Sequence, residues 1–211
     1  SLEDVVIPTT ANGYQYKCRV AGTSSNTGLD VGNAATNRAS SQVGTQTVID
    51  KANPANATGF LTSVEVWAAT DMTGFKVGAF YLVSGTTYKC RSAATIGAVT
   101  SGSKQTFTGL SLAIQTGDYI GCYFPTGTIE RDSSGGSGTL GSDTPADFVN
   151  VGDETTYSSD LGGNDAISLF ASGGVEPTFP TTLGTQGTDG TVTWEMDGNQ
   201  GDEYSRTAPM R

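Results

Sequence analysis

Asp4-Val-Val-Ile-Pro-Thr-Thr-Ala-Asn-Gly-Tyr-Gln-Tyr-Lys-Cys-Arg-Val-Ala-Gly-Thr-Ser24 and Gly174-Val-Glu-Pro-Thr-Phe-Pro-Thr-Thr-Leu-Gly-Thr-Gln-Gly-Thr-Asp-Gly-Thr-Val-Thr-Trp-Glu195 decide how the chain is organised, because each reads as half of one small β-unit. In the first, a short apolar strand ends at Pro8, and Asn12-Gly13 readily takes the positive φ angles of a tight hairpin turn. Tyr14, Tyr16, Cys18 and Val20 then alternate with Gln15, Lys17 and Arg19, the period of a half-exposed strand. In the second, Glu176-Pro-Thr-Phe-Pro180 is kept extended by its prolines. Asp189-Gly190 turns the chain into Thr191–Glu195, with Val192 and Trp194 on one face. The expected division is a discontinuous module, 1–27 with 174–211, and a domain inserted into it, 28–173.

The insert is a series of short apolar or alternating runs punctuated by Gly, Ser, Thr and Asn. They are Gln46–Asp50, Phe60–Trp67, Phe75–Val83, Thr86–Arg91, Ser103–Thr108, Leu110–Ile114, Asp118–Phe124 and Ala166–Phe170. Ser84-Gly85 marks a hairpin between two of them. Nothing carries a helical period, so the pattern is that of a two-sheet sandwich. A jelly roll is the expected topology, and an immunoglobulin-like sandwich is the alternative. Trp67 is expected in the core, sharing a face with Leu61.

Composition agrees with an all-β fold. Gly occurs 29 times in 211 residues with no collagen period, which indicates many turns, and only 15% of residues are charged. A net charge of −10 argues against a nucleic-acid partner, since phosphate neutralisation needs clustered Lys and Arg. No apolar run is long enough to cross a membrane as a helix, so no membrane partner is expected. Ser1-Leu-Glu-Asp4 has neither the basic start nor the apolar run of a signal peptide. A start at Ser is what removal of an initiator Met would leave, with a processed secreted protein as the alternative.

The chemistry-bearing residues are few. His is absent, which excludes Ser-His-Asp and Cys-His catalysis. Cys18, Cys90 and Cys122 have no CxxC spacing, and two of them occur in the repeated tetrapeptides Tyr16-Lys-Cys-Arg19 and Tyr88-Lys-Cys-Arg91. Free, half-buried thiols are expected, with a Cys18–Cys90 disulfide as the alternative. Glu130 and Asp132 flank Arg131 and could suggest the paired carboxylates of a glycosidase. A salt-bridged loop base is the preferred reading, and no enzyme activity is expected. Between 130 and 165 there are eight acidic residues and one base, which reads as a solvated acidic loop, with a Ca²⁺ site as the alternative and otherwise no cofactor.

Tyr119 and Tyr123 share one strand face opposite Ile120, Cys122 and Phe124. An outward aromatic pair with Arg131 and Asp132 nearby would form a carbohydrate-binding site. The bland alternative is a packing face or subunit contact. Asn56-Ala57-Thr58 matches a glycosylation sequon, and Ser133-Ser-Gly-Gly-Ser-Gly138 reads as a surface loop, lacking the Lys of a phosphate loop.

Joined end to end, the terminal stretches resemble a small β-module of tailed-bacteriophage structural proteins. The resemblance rests on Asp4–Val6, Pro8, Asn12-Gly13-Tyr14 with Tyr16, Ala21-Gly22-Thr23-Ser24, Pro177-Thr178-Phe179-Pro180 and Thr188-Asp189-Gly190-Thr191-Val192-Thr193-Trp194. Glu3 stands where that family usually has Gly, Phe179 replaces the commoner Trp, and the strand before Asp4 is nearly absent. The insert is similar to β-sandwiches of phage and environmental microbial proteins, through Asn33–Arg38, Asn53–Gly59, Gly102–Phe107, Gly117–Gly121 and Glu130–Asp132.

The resemblance implies a non-enzymatic virion component assembled in the host cytoplasm, foremost a head decoration or accessory protein. The alternatives are a lectin-like carbohydrate-binding module and a small tail or fibre component. Implied partners are a major capsid or tail protein and further copies of the chain, with host or environmental glycans as a further class. Pro177, Phe179, Trp194 and Tyr204 are the expected assembly contacts. The segment Met196–Arg211 reads as a polar, irregular tail.

Overall fold

The computed structural model describes residues 5–6, 14–20, 28–133, 138–157, 159–160, 165–175, 186–189 and 192–199. Two compact units divide the chain, 1–26 with 176–211 and 27–175. The strands of the first are β1 (Val5–Val6), β2 (Tyr14–Val20), β16 (Gln186–Asp189) and β17 (Val192–Asn199). Those of the second begin with β3 (Leu29–Gly32), β4 (Ser40–Val43), β5 (Val48–Asp50), β6 (Gly59–Ser84), β7 (Thr87–Val99) and β8 (Lys104–Ile114). They continue with β9 (Tyr119–Tyr123), β10 (Thr126–Asp132), β11 (Thr139–Gly141) and β12 (Glu154–Thr156). The last are β13 (Ser159–Asp160), β14 (Ala166–Ile167) and β15 (Leu169–Val175). The architecture is all-β and β-sandwich-like.

In the two-ended unit the order is β1-β2-β17-β16, so both ends of the sequence form one antiparallel sheet. Strand β17 runs through Asn199, which corrects the expectation of an irregular tail from Met196 onward. Met196 lies opposite Tyr16, and both are buried. Residues 200–211 are outside the described residues.

The second unit is organised by β6, whose 26 residues serve two layers. Its first half is the third strand of a four-stranded layer, β3-β15-β6-β8, and its second half belongs to the order β12-β7-β6-β9-β5-β11-β13. The sequence predicts two strands here, Phe60–Trp67 and Phe75–Val83, with residues 68–74 between them. Strand β10 pairs along that interval, Thr126 with Thr73, Thr128 with Thr70 and Ile129 with Ala68. Register shifts on both sides of the corner let one strand turn from sheet to sheet.

A second bulge moves Trp67. Ser172 pairs with Ser63 and the next residue, Gly173, pairs with Leu61, so Thr62 is an extra residue in β6. Parity inverts there: Leu61, Val64, Val66 and Ala68 are fully buried, and Trp67 falls on the opposite face, half-buried. The expectation that Trp67 shares the face of Leu61 is thereby overturned. On β8, two predicted strands fuse through Gly109, whose φ of +76° suits glycine at an irregular pairing.

The layers enclose a principal core that includes Val31, Leu61, Val64, Leu112, Ile120, Phe124, Ile129 and Leu169. A second core lies on the other face of the larger layer: Ile49, Phe80, Tyr88, Cys90, Leu140, Val149 and Tyr157. The segment 142–157 crosses that face. Thr47 Oγ1 donates to the Ala146 carbonyl at 3.0 Å, and Lys76 Nζ is paired with Asp147 and donates to Asn150 Oδ1. Each fully buried ring, such as Phe80, contributes about 1.5–3 kcal/mol of transfer free energy.

Candidate functional site

The sequence groups Tyr119, Tyr123, Arg131 and Asp132 as one sugar site; the structure distributes them over two environments. On β9, Ile120 and Cys122 enter the principal core, and Tyr119 and Tyr123 point to the other face. There both tyrosines pack against the second core, with Tyr119 edge-on to Tyr88 at a centroid distance of 5.8 Å. An edge-to-face pair of this kind adds about 0.5–1.5 kcal/mol beyond area burial. Of the two readings given for the pair, this placement supports the packing face.

Arg131 and Asp132 lie on β10, beside Glu130, in a seam of charged and polar groups. Strand β10 hydrogen-bonds to β4 and β14 as well as to β6, so it is a strand between partners, not a loop base. Glu130 is buried and its Oε2 accepts the Arg38 N–H at 3.0 Å. The Arg38 guanidinium donates to Ser168 Oγ at 2.7 Å, to Asp132 Oδ2 at 2.9 Å and to the Ala34 carbonyl at 2.9 Å. Asp132 also accepts the Ala39 N–H at 3.1 Å. That backbone donor, followed by Arg38, holds its carboxyl below the usual carboxylate range. Arg131 donates to Gln42 Oε1 at 2.8 Å, and its Nε stands 2.7 Å from Asp165 Oδ2 as an ion pair without hydrogen-bond alignment.

These contacts correct the expectation of a solvated acidic loop over 130–165. Glu130 and Asp165 are buried, Asp147 is paired with Lys76, and Glu154 is paired with Lys89. Among the described residues no group of three or more Cys, Asp or Glu converges as a metal site. Residues 134–137 of the Gly-rich stretch lie outside the described residues.

Sequence reasoning overlooked Arg38, Asp50 and Ser168. Asp50 is fully buried on β5; its two oxygens accept both contacts from Asn33 Nδ2, at 3.1 and 2.8 Å, and Oδ1 accepts the Ala52 N–H at 2.9 Å. Burial raises its pKa to about 6 against the lowering effect of those donors. The available signal was chemical: Arg38 and Asp50 bracket a stretch of Ser, Gln and Thr with no other charge, where isolated charges need partners.

The Cys90 and Cys122 thiols are inert by environment. Cys90 and Cys122 are free and buried, so the Cys18–Cys90 disulfide is not formed. Desolvation pushes the Cys90 thiol up to about 12 and the Cys122 thiol higher still. The sequon Asn56 is committed as well, donating to the Gly28 carbonyl at 2.6 Å and accepting the Asp30 N–H at 3.1 Å. Of the expected assembly contacts, Pro177, Phe179 and Tyr204 lie outside the described residues, and for Trp194 only its pairing with Cys18 is described.

No family model, no curated protein and no solved structure matches this chain.

Proposed function

We propose that the chain is a non-enzymatic structural protein of a tailed-phage particle, a head decoration or accessory protein with a jelly-roll-like sandwich. The observation that carries this reading is the pairing of β2 with β17, Cys18 with Trp194 and Tyr16 with Met196. It joins the two stretches whose motifs resemble the phage module. The engagement of the carboxylates and thiols in packing and ion pairs supports a structural role. In this account the two-ended unit docks on a capsid or tail protein, the sandwich projects, and copies associate with one another.

Peptide mass spectrometry of gradient-purified particles from the lysate that carries the gene tests it. The chain is expected at a constant ratio to the major capsid protein. Its absence from particles, with recovery only in the soluble fraction, sinks the proposal.

A further inference from the structure

The outer face of the four-stranded layer carries aromatic residues that no core explains. Val66 and Ala68 are buried in the principal core, so Trp67 between them points away from it. Leu169 and Ala171 fix Phe170 on the same outer face. Both rings are half-buried, and neither packs against either core.

Glu65 stands between them. It pairs directly with Phe170 across β6 and β15, and it is two residues before Trp67 on one strand, so all three side chains share a face. Diagonal neighbours such as Trp67 and Phe170 are about 7–8 Å apart. Lys104, opposite Trp67 on β8, donates to Glu65 Oε2 at 2.9 Å and fixes the carboxylate. The pair stays accessible, with side-chain exposures of 28% for Glu65 and 45% for Lys104. Ser63, Thr106, Thr108 and Ser172 occupy the neighbouring positions of the face.

We infer that this face is a saccharide-binding platform for neutral, hexose-type sugars. The apolar faces of one or two sugar rings lie on Trp67 and Phe170, and Glu65, held by Lys104, accepts hydrogen bonds from adjacent sugar hydroxyls. The surface chemistry selects this occupant. An apolar protein surface would strip water from four hydroxyl side chains and an ion pair with nothing to replace it. An anionic polymer meets a pair already neutralised within itself, on a chain of net charge −10. The inference is independent of virion membership, since it uses only the sandwich.

The full chain carrying Trp194→Phe has Trp67 as its single tryptophan, and its emission reports the face. Titration with neutral oligosaccharides from glucan, mannan and galactan is expected to give a saturable change with at least one of them. Affinity should fall about tenfold or more in Phe170→Ala and in Glu65→Gln, in proteins whose melting curves match the parent. Three results overturn the inference: no saturable change with any sugar, equal affinity in both variants, or an emission change that follows protein concentration without sugar.

Discussion

Val48 and Ile49 are consecutive residues of β5, both fully buried, and they serve different cores. Val48 joins the principal core between the layers; Ile49 joins Phe80, Tyr88, Val149 and Tyr157 on the far face. A strand buried on both faces loses the alternation that marks a half-exposed one. The larger layer is therefore an internal layer, with segment 142–157 as its cover.

This arrangement separates two substitutions. Val48→Ala removes packing from the principal core, and its cost should appear as a global loss of stability, on the order of 1–3 kcal/mol. Ile49→Ala should cost about 2–5 kcal/mol and also loosen the cover. Hydrogen exchange should rise across 142–157 in Ile49→Ala more than in Val48→Ala at matched global stability. Equal exchange in the two variants contradicts the two-core description.

Gly121 is a point of close approach to backbone in that internal layer. A Cβ there would stand 2.7 Å from Phe80 Cε2 and 2.7 Å from the Val48 carbonyl oxygen, and backbone cannot yield as a flexible side-chain end can. Gly121→Ala is expected to destabilise by about 1–3 kcal/mol, the usual range for overpacking. A denaturant titration checks it, and an unchanged midpoint would contradict the close approach of Gly121 to Phe80 and the Val48 carbonyl.

Asp50 gives a pH dependence of definite sign. Its folded pKa, about 6, is above the ordinary 3.8, so the folded state favours the protonated acid. Its stabilising contribution is complete below pH 4, declines as pH rises towards 6 and is lost above that, on the order of 2–3 kcal/mol in all. Asp132 and Asp71, whose pKa values are lowered, act in the opposite sense and weaken the fold as acid protonates them. Asp50→Asn should abolish the decline assigned to Asp50. Parallel stability-against-pH curves for Asp50→Asn and the parent would rule that assignment out.

Burial predicts silent thiols. In a Cys18→Ser background at pH 8, Cys90 and Cys122 should leave a thiol reagent unconsumed in the folded protein, and both should react after unfolding. Rapid reaction of either thiol in the native state contradicts the packing described around them.

The polar seam makes a different demand. Arg38 donates in three directions, to Ser168, Asp132 and Ala34, a fork that an ammonium cannot reproduce. Arg38→Ala should lower the melting temperature, and Arg38→Lys should recover only part of the loss. Full recovery by Lys would reduce the seam to simple charge pairing.

Sequence patterning conveyed the all-β class because strand alternation is a local property. Runs such as Phe75–Val83 and Asp118–Phe124 display it directly. It misplaced Trp67 because one extra residue, Thr62, inverts the parity of everything after it, and a bulge is set by the pairing partner. Strand β10 stayed hidden because Thr126–Asp132 has a single large apolar residue, Ile129; its strand character comes from three neighbours distant in sequence. Burial of Glu130, Asp50 and Asp165 was equally illegible, since acidic composition suggests solvent until the donors are located.

The proposed division of labour, docking by the two-ended unit and projection by the sandwich, is tested most directly by co-sedimentation with purified phage heads that lack this protein. The full chain should pellet with the heads in a saturable manner, and residues 27–175, folded by the criterion of a cooperative melt, should stay in the supernatant. Equal pelleting of the sandwich alone, or a full chain that never pellets, would contradict the account.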